Sequence, residues 1–404
     1  MTLLGLEEDT VRAAVAGVRR DSGTVASDDV GDIFARASWA GIAEPGDGTA
    51  GALISALGAR RALAVMLEGV AADRIANEVL DRASIELRVD TIRSGLDRWR
   101  PRLVAGDALA ALHRAAQRGV SLVLPGDLHW PSGLDDLGDH KPNVLWMLGD
   151  RSALTSLSAS FAIVGARAAT KYGEYVATEA AAGLSDRGFA IASGGAYGID
   201  GMAHRATIAS GGVTVAFLAG GVDRFYPSGH HSLLTEITKR GAVVSELPCG
   251  ASPTRWRFLQ RNRLIAAATQ ATIVVEAGRR SGSLNTAGHA ATLGRPLGAV
   301  PGPITSVASD GCHRLLREFA AVCVTNADEM AELVTGEAPP TLFDLPGGDG
   351  AGVRVLDSLS KRSGRSIHDI AKRSGLAPAE VQGALGLLEL EGLVVEAAGA
   401  WRRR

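Results

Sequence analysis

The stretch Phe161-Ala162-Ile163-Val164-Gly165-Ala166-Arg167 decides the fold. Four consecutive apolar residues stop at a glycine and an arginine, and a helical pattern then runs from Tyr172 to Arg187. The same unit follows at once: Phe189–Ala192, the glycine-rich Ser193-Gly194-Gly195-Ala196-Tyr197-Gly198-Ile199-Asp200, then a helical run over Gly201–Ser210. Further short apolar runs lie at Val213–Leu218, Ala242–Ser245, Thr272–Val275 and Leu297–Val300. Helical patterns separate them at Ser232–Arg240, Phe258–Thr269 and Leu284–Gly294. Regular alternation of strand and helix predicts right-handed crossovers and a mostly parallel sheet covered by helices on both faces. Ligands of such sheets sit at the carboxyl ends of the strands, so the segments that follow the strands are the candidate site.

Outward from this centre the pattern changes. Val120–Leu124 and Val144–Leu148 read as two more strands. Residues 31–119 have helical spacing, with Ile33, Phe34, Ala37 and Ala40 on one face, and are expected to form an N-terminal helical domain. Residues 1–30 are polar and rich in Gly, Asp and Arg, and are expected to be a weakly ordered extension. At the other end, Pro339-Pro340 and Pro346-Gly347-Gly348 mark 335–351 as a linker. Residues 352–404 then read as a winged helix, with Ser366 capping the second helix and Gly399 at the turn of the wing. The expected fold class is therefore α/β: an extended Rossmann-like, mostly parallel sheet over 120–334, flanked by a helical domain and a winged helix.

Composition restricts the function. A chain of 404 residues with 46% apolar and 21% charged residues is folded and too long for one ordinary core. Its net charge of −2 rules out a globally basic nucleic-acid coat, so any nucleic-acid site is a local patch. Cys249, Cys312 and Cys323 are too scattered for a disulfide framework or a zinc cluster, which fits a reducing compartment. The segment Met1–Thr10 has no apolar signal-peptide core, and no uncharged run reaches the length of a membrane span. A cytoplasmic protein is expected.

The local patch is Arg255-Trp256-Arg257-Phe258-Leu259-Gln260-Arg261-Asn262-Arg263. Four arginines and two aromatics fall within nine residues, and no Asp or Glu lies between Glu246 and Glu276. Guanidinium forks grip phosphate oxygens and aromatic faces stack on bases, the pairing a single-stranded nucleic acid requires. Four segments join it at the strand ends. Gly165-Ala166-Arg167 projects an arginine over the sheet edge. Ser193–Asp200 offers glycine N–H groups at a helix start, a ready anion site. Gly220–Pro227 reads as a rigid turn, and Ser281-Gly282-Ser283 supplies hydroxyl and N–H donors at another helix start, just after Arg279 and Arg280. The dinucleotide fingerprint is absent, because the glycine spacing differs and no acid ends the next strand. There is no Walker lysine, no nucleophile elbow and no carboxylate pair with an acid–base task. His204, His230, His231, His289 and His313 lack metal-ligand spacing, and no cofactor or metal is expected.

In this order the motifs resemble one family, the DNA-processing protein DprA (Smf) family. The resemblance rests on Val164–Arg167, Ser193–Asp200 with Ala203-His204, Tyr226-Pro227, Ser245-Glu246, Phe258 with Arg261-Asn262-Arg263, Glu276, Ser281–Ser283, Thr286-Ala287 and Pro301-Gly302. It implies a single-stranded DNA-binding recombination mediator that passes strands to the RecA recombinase during natural transformation and works as a dimer. It also implies a helical, SAM-like domain before the Rossmann-like domain and a winged helix after it. Carried over by motif, Arg167, Arg255 and Arg263 contact phosphates and Phe258 packs on or stacks against a base. Gly194, Gly195, Ser281, Gly282 and Ser283 donate hydrogen bonds. Arg261, Asn262 and Thr286 complete the DNA-binding set, with Asn262 and Asp200 ordering the loops. Tyr197 stands where the family commonly has arginine, Ala166 where it has serine and Gln260 where it has proline. The rival is a Rossmann-like phosphoribohydrolase, which needs a glutamate three residues after Thr286, where this chain has His289. A duplex-DNA repressor is a further rival, but the third helix of the winged unit, Pro378–Glu391, carries three glutamates and no Lys or Arg.

Overall fold

A computed structural model describes residues 2–3, 6–19, 27–104, 106–336, 350–397 and 399–404. They fall into two compact units, 1–335 and 336–404.

The first unit is built on a nine-stranded sheet. Its strands, in chain order, are β1 (Ser121–Val123), β2 (Leu145–Gly149), β3 (Ser160–Val164), β4 (Ala190–Ser193), β5 (Thr214–Phe217), β6 (Ala242–Ser245), β7 (Ala271–Val274), β8 (Leu297–Ala299) and β9 (Val322–Cys323). Their spatial order is β9-β8-β7-β3-β4-β5-β6-β2-β1. The pairs from β9 through β6 are all parallel, whereas β2 pairs antiparallel with both β6 and β1. The chain leaves β3 in one direction to lay down β4, β5 and β6, then returns to place β7 on the other side of β3. The order therefore reverses between β3 and β7, which opens a crevice at their carboxyl ends.

Alternation along the strands builds a core on each face. Phe161 and Ile163 of β3 face the helices Lys171–Asp186 and Ile199–Ala209, through Ala177, Ala181, Leu184, Ile199 and Ala203. Ala162 and Val164 face the opposite layer, where Leu264, Ile265 and Ala268 of the helix Arg255–Ala268 pack with Phe217 and Val274. Because central parallel strands are covered on both sides, they read as continuous apolar runs, which is why their positions are evident in the sequence.

Residues 1–30 are not simply an extension. The helix Glu8–Val18 buries Val11, Ala14, Val15 and Val18 against the helix Asp107–Gln117 and the β1–β2 end of the sheet. Those positions recur at i, i+3, i+4 and i+7, and their burial outweighs the polar character of the surrounding segment. Residues 20–26 lie outside the described residues. Nor do the N-terminal helices form a compact unit of their own: they belong with the sheet in the unit 1–335. They have a separate core, in which Trp39 and Trp99 meet edge to face at 5.2 Å. Among the described residues no single helix is long and apolar enough to cross a membrane; the apolar pair Gly48–Leu57 and Ala59–Leu67 is bent by 107° around this core.

The linker expected at 335–351 falls mostly on 337–349, outside the described residues. The second unit contains the helices Ala351–Ser358, Ile367–Ser374 and Pro378–Leu390 and the hairpin Val394–Ala397 with Ala400–Arg403. Ser366 caps its helix by accepting from the Asp369 N–H at 3.2 Å. Val355, Ile370, Val381, Leu385, Val394 and Trp401 form the core of a helix-turn-helix with a wing.

Candidate nucleic-acid interface

A cleft of about 850 Å³ occupies the crevice between β3 and β7. Its walls are the loop after β3 (Gly165–Ala168), the first turns of the helix Arg255–Ala268 and the loop Gly278–Ser283 after β7, with Tyr226 at the rim. Of the expected DNA-binding residues, Arg167, Arg255, Phe258, Arg261, Asn262, Ser281, Gly282, Ser283 and Thr286 line it.

The helix Arg255–Ala268 begins at Thr254, whose hydroxyl accepts from the Arg257 N–H at 3.2 Å. Its first turn has Arg255 and Arg257 and no acid. Cations at the positive end of a helix dipole oppose the favourable arrangement, and the helix pays this cost where an anion is to be gathered. Arg255 is exposed, as are Arg167, Arg279 and Arg280 around the same cleft. The Arg167 guanidinium lies 4.8 Å from the centre of the Phe258 ring, and Tyr226 meets the same ring at 5.7 Å with the planes tilted by 57°. Arginine, phenylalanine and tyrosine thus form one continuous π-surface.

Below that surface lies Arg261, buried to 5% exposure. It donates to the carbonyls of Gly194 and Phe217 and to Asn262 Oδ1. Burial lowers its pKa to about 10 against the opposing charge of Asp200, so it stays cationic at neutral pH. Asn262 Nδ2 donates to Gly282 O and to Asn285 Oδ1, both at 3.2 Å, which fixes the serine loop to the arginine helix. Ser281 Oγ and Ser283 Oγ share a hydrogen bond of 2.7 Å at the start of the helix Ser283–Thr292. That start faces the cleft, where helix N–H groups and hydroxyls suit a phosphate. On the other side Glu276, 2% exposed, accepts from Thr170 N at 2.9 Å and Thr170 Oγ1 at 2.5 Å, tying the loop after β3 to the end of β7.

Three of the residues expected to contact DNA do not line the cleft. Gly194 and Gly195 do not line the cleft. The glycine loop turns inward: the N–H groups of Gly194 and Ala196 donate to Asp200 Oδ2 at 3.1 and 3.4 Å, and the Gly195 carbonyl accepts from His230 Nδ1. Burial pushes the Asp200 carboxyl above its ordinary value, while Arg261 and these N–H groups oppose that shift. A Cβ on Gly194 would stand 2.3 Å from Arg261 Nη1, so glycine here serves the close approach of Arg261, not a phosphate. Arg263 is also absent from the cleft. It is 3% exposed, and both terminal nitrogens donate to Glu246 at 2.6 Å while Nε donates to His140 O. Arg257 is likewise engaged, with Glu44 at 2.8 and 3.0 Å and with Ser252 O. Burial alone would raise the Glu44 pKa, but Arg257 and Arg102 together hold it below the usual carboxylate value.

Tyr226, Arg279 and Arg280 also line the cleft, although the expected DNA-binding set did not include them. Their signal was position, since each follows a strand at the same edge of the sheet. Among the described residues there is no group of three or more His, Cys, Asp or Glu fit to hold a metal. His204 is fully buried at Thr214. His289, half-buried, has its pKa lowered by burial and by Arg263, and is no substitute for a carboxylate.

A doubly wound sheet whose switch-point cleft joins exposed arginines, an aromatic pair and a serine-rich helix start defines a Rossmann-like protein with a cationic cleft. Comparison with known proteins narrows this. Residues 121–335 match the family described as DNA recombination-mediator protein A, and residues 337–400 match the DprA winged helix domain. The chain belongs to the DNA recombination-mediator protein A family. It is 46% identical to a DprA of Mycobacterium tuberculosis over 314 residues, 74% of this chain and 80% of that one. It is 35% identical to the protein Smf of Escherichia coli over 271 residues, 65% of this chain and 72% of that one. The X-ray structure of DprA from Streptococcus pneumoniae superposes with a TM-score of 0.56 at 30% identity, covering 75% of this chain and 97% of that one.

Proposed function

We propose that this recombination mediator binds single-stranded DNA in the cleft between β3 and β7. The observation that carries the reading is the stack of Arg167, Phe258 and Tyr226 beside the Ser281–Ser283 helix start. An unpaired base finds an aromatic and guanidinium face there, and the adjacent phosphate finds Arg167, Arg255, Arg279, Arg280 and the helix N–H groups. The amide of Asn262, which lines the cleft, is already engaged with Arg261, Gly282 and Asn285, so binding with little sequence preference is expected. A duplex keeps its bases stacked inside and cannot use the aromatic surface.

The test is a salt titration of binding to single-stranded and duplex oligonucleotides of equal length. Tighter binding of the single strand at every salt concentration is expected; equal affinity for both would reject the reading.

The mediator role of the family suggests that the bound strand is delivered to a RecA recombinase, as in natural transformation, by a cytoplasmic protein that is not itself an enzyme. The protein should shorten the lag of RecA-dependent strand exchange, and an unchanged lag argues against delivery. Dimerisation is part of the same reading. The edge strand β9 has a single neighbour in the sheet, and Val322 and Cys323 are exposed. Sedimentation at micromolar concentration should give twice the chain mass.

A further inference from the structure

The second unit divides its surface by charge. Its third helix, which in a helix-turn-helix would enter the major groove, carries Glu380 and Glu389, is followed by Glu391, and has no Lys or Arg. Leu387 and Leu390 on that helix are 65% and 87% exposed. Phosphates repel such a face. Five exposed cations lie on or beside the wing instead, on a surface that also carries Glu396. The strand Ala400–Arg403 pairs with Val394–Ala397 on one side. On its other side the segment 360–365 runs beside it: Arg403 N donates to Ser360 O at 3.2 Å, and Arg365 and Trp401 exchange both backbone hydrogen bonds at 2.8 Å. This brings Lys361 and Arg362 next to Arg402, Arg403 and Arg404. All five are exposed, and among the described residues none has an ion-pair partner. Arg365 and Arg373 of the same unit, by contrast, are both paired with Asp369.

We propose that the wing, not the third helix, is a second nucleic-acid site, and that it grips the sugar–phosphate backbone through Lys361, Arg362, Arg402, Arg403 and Arg404. Five unpaired cations on the wing strand and the segment beside it, where the one aromatic, Trp401, is buried in the core, fit backbone contact without sequence or strand preference. Such a site adds affinity on long strands and leaves short ones to the cleft.

The experiment uses the full chain with all five residues changed to Gln, a 40-nucleotide strand, a duplex of the same length and a six-nucleotide strand, each titrated over a series of salt concentrations. Loss of the wing should weaken binding to both long probes by roughly tenfold or more near 0.1 M salt. It should lower the single-strand salt slope by up to about 3.5, at about 0.7 per phosphate contact. Affinity for the six-nucleotide strand should not change. A companion variant with Arg402, Arg403 and Arg404 changed to Lys should keep the original slope, which separates charge from folding. Unchanged slope and affinity on both long probes in the Gln variant would overturn the proposal. A failure of the unaltered protein to bind the six-nucleotide strand would count against the cleft, and the wing would still be judged on the long probes.

Discussion

Arg263 and Glu246 form a two-pronged ion pair, 2.6 Å at each contact, closed off from solvent beneath the helix Arg255–Ala268. Breaking one side of a buried pair leaves an uncompensated charge, and the typical cost is about 3–5 kcal/mol. Arg263→Ala is therefore expected to lower stability strongly in urea denaturation. The double variant Arg263→Met with Glu246→Leu should recover much of the loss. If Arg263→Ala instead leaves stability intact and lowers only DNA affinity, the pair opens to meet a phosphate.

The free and engaged arginines should separate cleanly in binding. Arg167→Ala and Arg280→Ala are each expected to reduce the salt slope by about 0.7 for one phosphate contact on single-stranded DNA. Arg257→Ala should leave the slope unaltered, because its guanidinium is occupied by Glu44. A reduced slope in Arg257→Ala would show that the Glu44 contact yields to DNA.

Removing either aromatic should cost affinity without touching the slope. Phe258→Ala and Tyr226→Ala are each expected to lose about 1–3 kcal/mol of binding to single strands if a base stacks on each ring. Phe258→Tyr should retain most of it. Equilibrium binding at fixed salt measures this, and full affinity in Phe258→Ala would make the ring a packing residue beneath Arg167.

His204 should make the fold sensitive to acid. Thr214 Oγ1 donates to Ile191 O, so His204 donates its Nδ1–H to Thr214 at 2.7 Å, and Nε2 is buried without a partner. Burial, assisted by the charges of His230 and Arg261, lowers the His204 pKa from 6.5 to about 3. Between those values the unfolded chain takes up a proton that the folded chain refuses. The contribution of His204 to stability is thus complete above about pH 6.5 and falls steadily as the pH drops toward 3. Urea midpoints measured from pH 7.5 to 5 should decline, and His204→Gln should flatten that decline. Equal slopes in both proteins would place the acid sensitivity elsewhere.

The central strands and their helices were legible because parallel strands buried on both faces have an unambiguous signature. Each of the six from β3 to β8 lies within a residue or two of the expected boundaries. The last elements of the first unit, from Asp310 to Thr335, were not. Val322–Cys323 is a two-residue edge strand with both residues exposed, too short to stand out as a strand within the apolar run 319–324. The site was legible by loop position more than by residue chemistry. The interval between Glu246 and Glu276 has no acid, which suggested unneutralised charge. Yet the bounding carboxylates fold back into the structure: Glu246 takes Arg263, and Glu276 holds Thr170. Distance along the chain could not reveal a partner at the end of a neighbouring strand. Glycines misled for a related reason, since a loop that can present its N–H groups outward can equally wrap them around a carboxylate of its own.

The inward turn of Ser193–Asp200 separates two kinds of inheritance. The loop that a Rossmann-like fold commonly devotes to its ligand is here a fastening, with Gly194, Ala196 and Asp200 bonded to one another and to Arg261. In the proposed cleft the electrostatic hold on DNA would rest on side chains at 167, 255, 279 and 280, all of them exposed. Lineages can strengthen or relax that grip one arginine at a time while the folding of the sheet is left undisturbed.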